Sequence, residues 1–100
     1  MSTIKHLVIF TLYSGKDTTE TELFLQKSKE ELSVITGVEQ FEVFRQVSDK
    51  NDFDYGFSML FTNEQMYDAY NNNPTHIKYV EECWNKKVSR FQEIDLIVYQ

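Results

Sequence analysis

The segment that most constrains the fold is FDYGFSMLF, residues 53–61. Its large apolar side chains fall at every second position, which is the period of a β-strand. One face of this strand is therefore almost wholly aromatic, and its members are Phe53, Tyr55, Phe57, Met59 and Phe61. Such a row has to be covered, because soluble monomers rarely expose contiguous apolar patches larger than a few hundred Å². The chain must fold so that at least one sheet face is buried.

Three further segments have strand character. Residues 4–12 (IKHLVIFTL) have apolar groups on both faces, so we expect both faces to be covered. Residues 38–47 are apolar on one face and mixed on the other. Residues 94–100 (IDLIVYQ) are predicted as the last strand of the chain. The sequence therefore predicts four strands.

The first helix is predicted to begin near Thr18 or Thr19. Thr19 followed by Glu22 has the spacing of a capping box, in which two side chains satisfy free amides of the first turn. An apolar stripe then recurs at helical spacing, as expected for a helix that packs on a sheet. Gly37 is expected to adopt a left-handed conformation after the helix.

The second helical segment starts at Thr62 and is interrupted by YNNNPTH. Pro74, the only proline, lacks an amide donor and disfavours helical geometry in the preceding residue, so the first piece should end by Asn72. Asn73 can cap a second piece that has Pro74 at its first position. The apolar stripe of this piece predicts a helix that continues to Val88.

The order of elements, β-α-β-β-α-β, predicts an α+β ferredoxin-like fold with a four-stranded antiparallel sheet and helices on one face. At 100 residues the chain is interpreted as a single domain, residues 1–100. The helices leave one sheet face open. We therefore predict a homodimer in which two sheets face each other across a two-fold axis and form a dimeric α/β barrel with a cavity inside.

The composition of the chain argues against several classes of binding partner. A net charge of −6 argues against nucleic acid binding, and the longest apolar run, residues 7–10, is far too short to span a membrane. The first ten residues do not have the pattern of a signal peptide. The single cysteine, Cys83, fits a reducing cytoplasm and is interpreted as a packing residue. We expect neither a metal nor a cofactor, since ligand spacing such as HxxxH is missing.

Several segments together resemble the stress-responsive α/β-barrel domain family, known as Dabb: IKHLVIFTL, YGFSMLFTNEQMYDAY, YNNNPTHIKYV and the closing strand with Asp95. The resemblance covers essentially the whole chain. Its most specific piece is a tyrosine, a spacer and an HPxH pattern, which corresponds here to Tyr70 through His76 with Asn73 in place of the first histidine. The resemblance implies the same dimeric ferredoxin-like barrel.

Some members of this family are enzymes, including a plant polyketide cyclase that makes olivetolic acid by an intramolecular aldol condensation. The resemblance to it implies that His76 is a general base, Tyr70 stabilises an enolate oxygen and His6 orients the substrate. The ligand would be a small hydrophobic or polyketide-like molecule in an apolar cavity. His76 would lie in the first turn of a helix, where the helix dipole favours a neutral imidazole. Asp95 could hold a histidine in position.

Two alternatives remain open. In the first, the protein is a stress-related structural or binding protein with no reaction, because other Dabb members have none established. His6 would then bond a neighbouring backbone group, His76 would stabilise the helix junction and Tyr70 would pack its ring. The weaker alternative is a monooxygenase of the related dimeric ferredoxin-like class.

Overall fold

The computed structural model describes residues 2–100. Four strands form one antiparallel sheet with the spatial order β2-β3-β1-β4: β1 Ile4–Leu12, β2 Glu39–Arg45, β3 Tyr55–Phe61 and β4 Val88–Leu96. The helices are α1 Thr19–Leu32, α2 Glu64–Asn72 and α3 Pro74–Tyr79, followed by a π-helical turn, Val80–Trp84, and the short α4, Asn85–Lys87. The predicted α+β ferredoxin-like fold is confirmed.

The aromatic row of β3 forms the core beneath the helices. Phe57 lies opposite Val8 of β1, and its ring centroid is 4.7 Å from that of Phe10. Trp84, from the π-helical turn, packs edge-on against Phe10 with ring centroids 5.1 Å apart. Burial of each such side chain contributes about 1.5–3 kcal/mol. The chain therefore covers its most apolar sheet face with its own helices.

The opposite sheet face is less apolar. Leu7 and Ile9 of β1 are only half-buried there, and they lie opposite the small residues Ser58 and Gly56 of β3. Leu96, on the same face of β4, is 46% exposed. This face, and not the aromatic row, is the surface that the fold leaves open.

The caps of α1 and α2 each lie one residue from the position that the sequence indicates. The side chain of Thr18, not Thr19, accepts the capping hydrogen bond of α1, and Asn63 caps α2, although the sequence predicts that this segment starts at Thr62. In each case the neighbouring side chain is chemically able to cap. The residue that does so is the one whose extended backbone precedes the first turn, which the sequence alone does not determine.

The helix break lies where Pro74 predicts it. α2 ends at Asn72, and Asn73 has an extended backbone with φ −69° and ψ 127°. Its side-chain oxygen accepts a hydrogen bond from the backbone N–H of Thr75 at 2.8 Å. Pro74 is the first residue of α3. The break is therefore produced by local chemistry, as the sequence indicates.

The predicted end of the last helix and start of the last strand are wrong. Val88 begins β4 instead of ending a helix, and β4 pairs with β1 from Leu96 back to Val88. The π-helical turn Val80–Trp84 adds an extra residue to the helical repeat, so the apolar stripe past Trp84 no longer marks one helix face. Residues 97–100 lie beyond the strand.

Among residues 2–100, no helix combines the length and the apolar composition needed to cross a membrane.

Candidate functional site

A cavity of about 260 Å³ lies between the sheet and the helices of one chain. The sequence predicted a cavity between two facing sheets, whereas this one is formed within a single protomer. All three predicted site residues line it, and its polar lining residues are His6, Tyr70, His76, Tyr79, Asn85 and Glu93. The fold thus brings together side chains from β1, β4 and both sides of the helix break.

His6 is held firmly by the sheet. It points to the helix-facing side of β1, lies opposite Asp95 of β4 and is 7% exposed. Its Nδ1 is 2.6 Å from a carboxylate oxygen of Asp95. An Nδ1–H that donates to this carboxylate leaves Nε2 as the nitrogen with a lone pair in the neutral ring. The prediction that Asp95 holds a histidine in position is confirmed for His6.

Tyr67 completes this group, and the sequence analysis missed it. Its hydroxyl donates to both carboxylate oxygens of Asp95 at 3.0 and 2.9 Å, and lies 3.1 Å from Nδ1 of His6. Burial, together with the hydrogen bond to Asp95, raises the pKa of Tyr67. The available signal was its spacing, because residues three apart on a helix share a face and Tyr67 precedes Tyr70 by three.

Tyr70 and His76 meet across the helix break. Their rings pack against each other with centroids 4.1 Å apart and are tilted by 34°. Tyr70 is buried, and burial raises the pKa of its hydroxyl, so this group stays protonated at neutral pH. The hydroxyl can therefore donate a hydrogen bond to an oxygen of a ligand.

His76 differs from His6 because one of its nitrogens is buried without a partner. Its Nδ1 has no hydrogen-bond partner in the part of the chain that the structure describes. Burial lowers the pKa of His76 below 6.5, nearby His6 acts in the same direction, and the backbone of Asn71 partly offsets both. Burial is the largest cause of this lowered pKa. At neutral pH the ring is an uncharged base.

The rest of the cavity wall is apolar and aromatic. Phe57 and Met59 come from β3, and Trp84 of the π-helical turn packs edge-on against Phe91 of β4 with ring centroids 5.5 Å apart. Local π-helical turns occur frequently at functional sites. Here the turn supplies part of the cavity wall.

Within residues 2–100, no three His, Cys, Asp or Glu side chains are grouped so that they could hold a metal ion. Cys83 is half-buried, packs against the core and does not line this cavity.

The sequence model of the stress-responsive A/B barrel domain family, Dabb, matches residues 4–98. This chain belongs to the Dabb family. A structure from Mesorhizobium loti, described as a Dabb family protein with a ferredoxin-like fold, is 39% identical to it. The match covers 100% of both chains with a TM-score of 0.97. Comparison with curated protein sequences gives no match.

More distant structures share the fold of this Dabb protein. A dimeric ferredoxin-like protein of unknown function from Thermobifida fusca is 12% identical, with a TM-score of 0.77 and coverage of 97% of this chain and 92% of that one. The hydroxynitrile lyase from Passiflora edulis is 8% identical, with a TM-score of 0.81 and coverage of 98% and 94%. Proteins with this fold therefore include a lyase and proteins of unknown function.

Proposed function

We propose that this Dabb protein is an acid–base catalyst of the cyclase or lyase type that acts on a small hydrophobic carbonyl compound. One observation supports it above the others: the unpartnered, buried Nδ1 of His76 lies beside Tyr70 in a cavity that His6 also lines. A buried polar atom without a partner destabilises a protein by about 1–3 kcal/mol. A catalytic role is one reason for which a protein retains such a group.

The proposed roles follow from the protonation states. Neutral His76 accepts a proton from the carbon next to the substrate carbonyl, and the electron pair of that C–H bond forms the enolate. The protonated Tyr70 hydroxyl donates a hydrogen bond to the enolate oxygen. The enolate then forms the new bond or expels the leaving group, and His76 returns the proton. His6, fixed by Asp95, orients the substrate.

The test is exchange of carbon-bound protons in D₂O. Cyclohexyl methyl ketone is incubated with the protein, and loss of its α-proton signals is followed by ¹H NMR against buffer. We expect catalysed exchange with wild type and a large loss with His76→Ala and with Tyr70→Phe. Tyr13→Phe is the matched control, because Tyr13 is exposed.

Two outcomes would contradict the proposal. One is exchange that His76→Ala leaves unchanged, and the other is no exchange above buffer for any of a panel of alkyl and aryl ketones. The second candidate, a binding or structural protein without a reaction, would then be favoured. It is supported by the packing of the His76 ring against Tyr70, a contact that joins the two sides of the helix break.

We also propose that the chain forms a homodimer through its open sheet face. Leu7 and Ile9 are half-buried there, Phe44 of β2 is 42% exposed and Leu96 of β4 is 46% exposed. A second copy would cover these side chains, and the Thermobifida fusca structure is described as dimeric. Light scattering should give a dimer mass for wild type and a monomer mass for Leu7→Glu. Val34→Glu, at an exposed site after α1, is the control, and a monomeric wild type would contradict the proposal.

We further propose that the chain is a single-domain cytoplasmic protein. The single cysteine cannot form an internal disulfide, which fits a reducing compartment. Cell fractionation of the tagged protein tests the location, and recovery outside the cytoplasmic fraction would contradict it.

A further inference from the structure

The volume of the cavity restricts its ligand. About 260 Å³ is below the range of roughly 300–1,000 Å³ for pockets that bind drug-sized molecules. The cavity is partly open to solvent, so this volume limits the enclosed part of a ligand to one ring with a short substituent.

The lining divides into an apolar part and a polar part. Phe57, Met59 and Trp84 supply large apolar surfaces, while Tyr70 and His76 supply a donor and an acceptor. A ring of the ligand would contact the aromatic side chains of the cavity, and a single oxygen-bearing substituent would face Tyr70 and His76. The complementary ligand is therefore amphipathic, with one polar group.

Charge restricts the ligand further. Glu93 lines the cavity, and in the described residues neither a lysine nor an arginine does. Glu93 lies opposite Val8, so its side chain is on the helix-facing side of β4. Burial is the main cause of the raised pKa of Tyr70 and of Tyr67, and the negative charge of the exposed Glu93 adds to it. A ligand carboxylate would meet this charge without a cation to offset it.

We propose that the cavity selects uncharged single-ring carbonyl compounds, and that Glu93 is a specificity-determining residue that keeps carboxylates out. The assignment of the carbonyl to Tyr70 and His76 rests on the proposed function. The preferences for ring size and charge do not depend on any reaction.

The experiment uses three ligands with one ring and different charges: cyclohexyl methyl ketone, cyclohexanecarboxylate and cyclohexylmethylammonium. Trp84 is the only tryptophan and lines the cavity, so its fluorescence reports binding, with titration calorimetry as a second measurement. We expect wild type to bind the ketone at least tenfold more tightly than the carboxylate. Glu93→Gln should reduce this ratio to about threefold or less, and change ketone affinity less than twofold.

Glu81→Gln is the matched control, because it removes the same charge from an exposed residue that does not line the cavity. It should leave the ratio at the wild-type value. The inference is overturned if the ketone does not bind, if ketone and carboxylate bind equally to wild type, if the ammonium binds most tightly, or if Glu93→Gln leaves the ratio unchanged.

The same titrations with His76→Ala separate this inference from the proposed reaction, because that variant lacks the proposed base. Selectivity that persists in His76→Ala while wild type shows no proton exchange would refute the reaction and support the inference. Catalysed exchange in wild type, combined with equal binding of ketone and carboxylate, would support the proposed reaction and refute the charge selectivity.

Discussion

His6 and His76 line one cavity, yet their imidazole nitrogens are held in opposite ways. Nδ1 of His6 is 2.6 Å from Asp95 and 3.1 Å from the Tyr67 hydroxyl, so its ring is fixed on the sheet. Nδ1 of His76 is buried without a partner among the described residues, and its ring packs against that of Tyr70. Of the two Nδ1 atoms, the one at the helix break therefore makes no hydrogen bond within the described residues.

We therefore expect His6 to contribute mainly to stability and His76 mainly to the proposed reaction. The bonds of His6 stabilise the folded chain, whereas the unpartnered nitrogen of His76 lowers the free energy of unfolding. Strained or unsatisfied groups of this kind are typical of functional sites. Substitutions at the two places should therefore affect different measurements.

The largest expected effect is on proton exchange. His76→Ala should reduce the catalysed rate by about 100-fold or more, the range for loss of a general base. Because His76→Ala also removes a half-buried ring that packs on Tyr70, His76→Phe, which keeps a ring there, is measured beside it and should lose the catalysed exchange to the same extent. His6→Ala should reduce the rate less and lower the stability. The proposed difference between His6 and His76 would be contradicted if His6→Ala abolished proton exchange while His76→Ala preserved it.

The next effect is on stability. Asp95→Ala should lower the free energy of unfolding by about 1–2 kcal/mol, because His6 and Tyr67 both lose their acceptor and the site is only partly exposed. Urea unfolding measures it. Asp68→Ala, at an exposed position of α2, is the control and should stay within about 0.5 kcal/mol of wild type. Equal losses in the two variants would mean that the Asp95 bonds contribute nothing.

Removal of one bond from the same group should have a smaller effect. Tyr67→Phe should lower the free energy of unfolding by about 1 kcal/mol, the usual contribution of one hydrogen bond. Tyr99→Phe is the control, because Tyr99 is 97% exposed and should give wild-type stability. A Tyr67→Phe protein as stable as wild type would show that the Tyr67 hydroxyl does not contribute to stability.

The smallest expected effect depends on pH. The folded-state pKa of His76 lies below its ordinary value of 6.5, so the unfolded chain takes up the proton first as the pH falls. Stability linked to His76 is therefore lost as the pH falls from about 6.5 through the folded-state pKa, and is constant at higher pH.

His76→Phe keeps an aromatic ring beside Tyr70 and removes this titration. The difference in free energy of unfolding between wild type and His76→Phe should be constant above pH 7 and move against wild type by pH 5. A difference that does not change between these two pH values would contradict the lowered pKa.

Features of the fold that depend on neighbouring residues could be predicted from the sequence, whereas features that depend on contacts between distant residues could not. The bounds of β1 and the break at Pro74 follow from alternation and from proline chemistry, which act within a few residues. The start of β4 at Val88 was missed because the π-helical turn, a tertiary adjustment, shifts the helical repeat.

The candidate site shows the same limit. The sequence and the family resemblance indicated His6, Tyr70 and His76, and the fold places all three around one cavity. Tyr67 was missed because its partner Asp95 is 28 residues away, and nothing local to either residue predicts their contact. The unpartnered Nδ1 of His76 is also a result of packing, so no sequence pattern could have indicated it.

The most direct test is ¹⁵N NMR of the imidazole nitrogens, which is practical because the chain has two histidines. The account predicts that His76 titrates below pH 6.5, and that saturation with cyclohexyl methyl ketone shifts its imidazole nitrogen resonances more than those of His6, which Asp95 holds in place. A His76 ring that titrates at or above pH 6.5, with nitrogens that the ketone does not perturb, would contradict it.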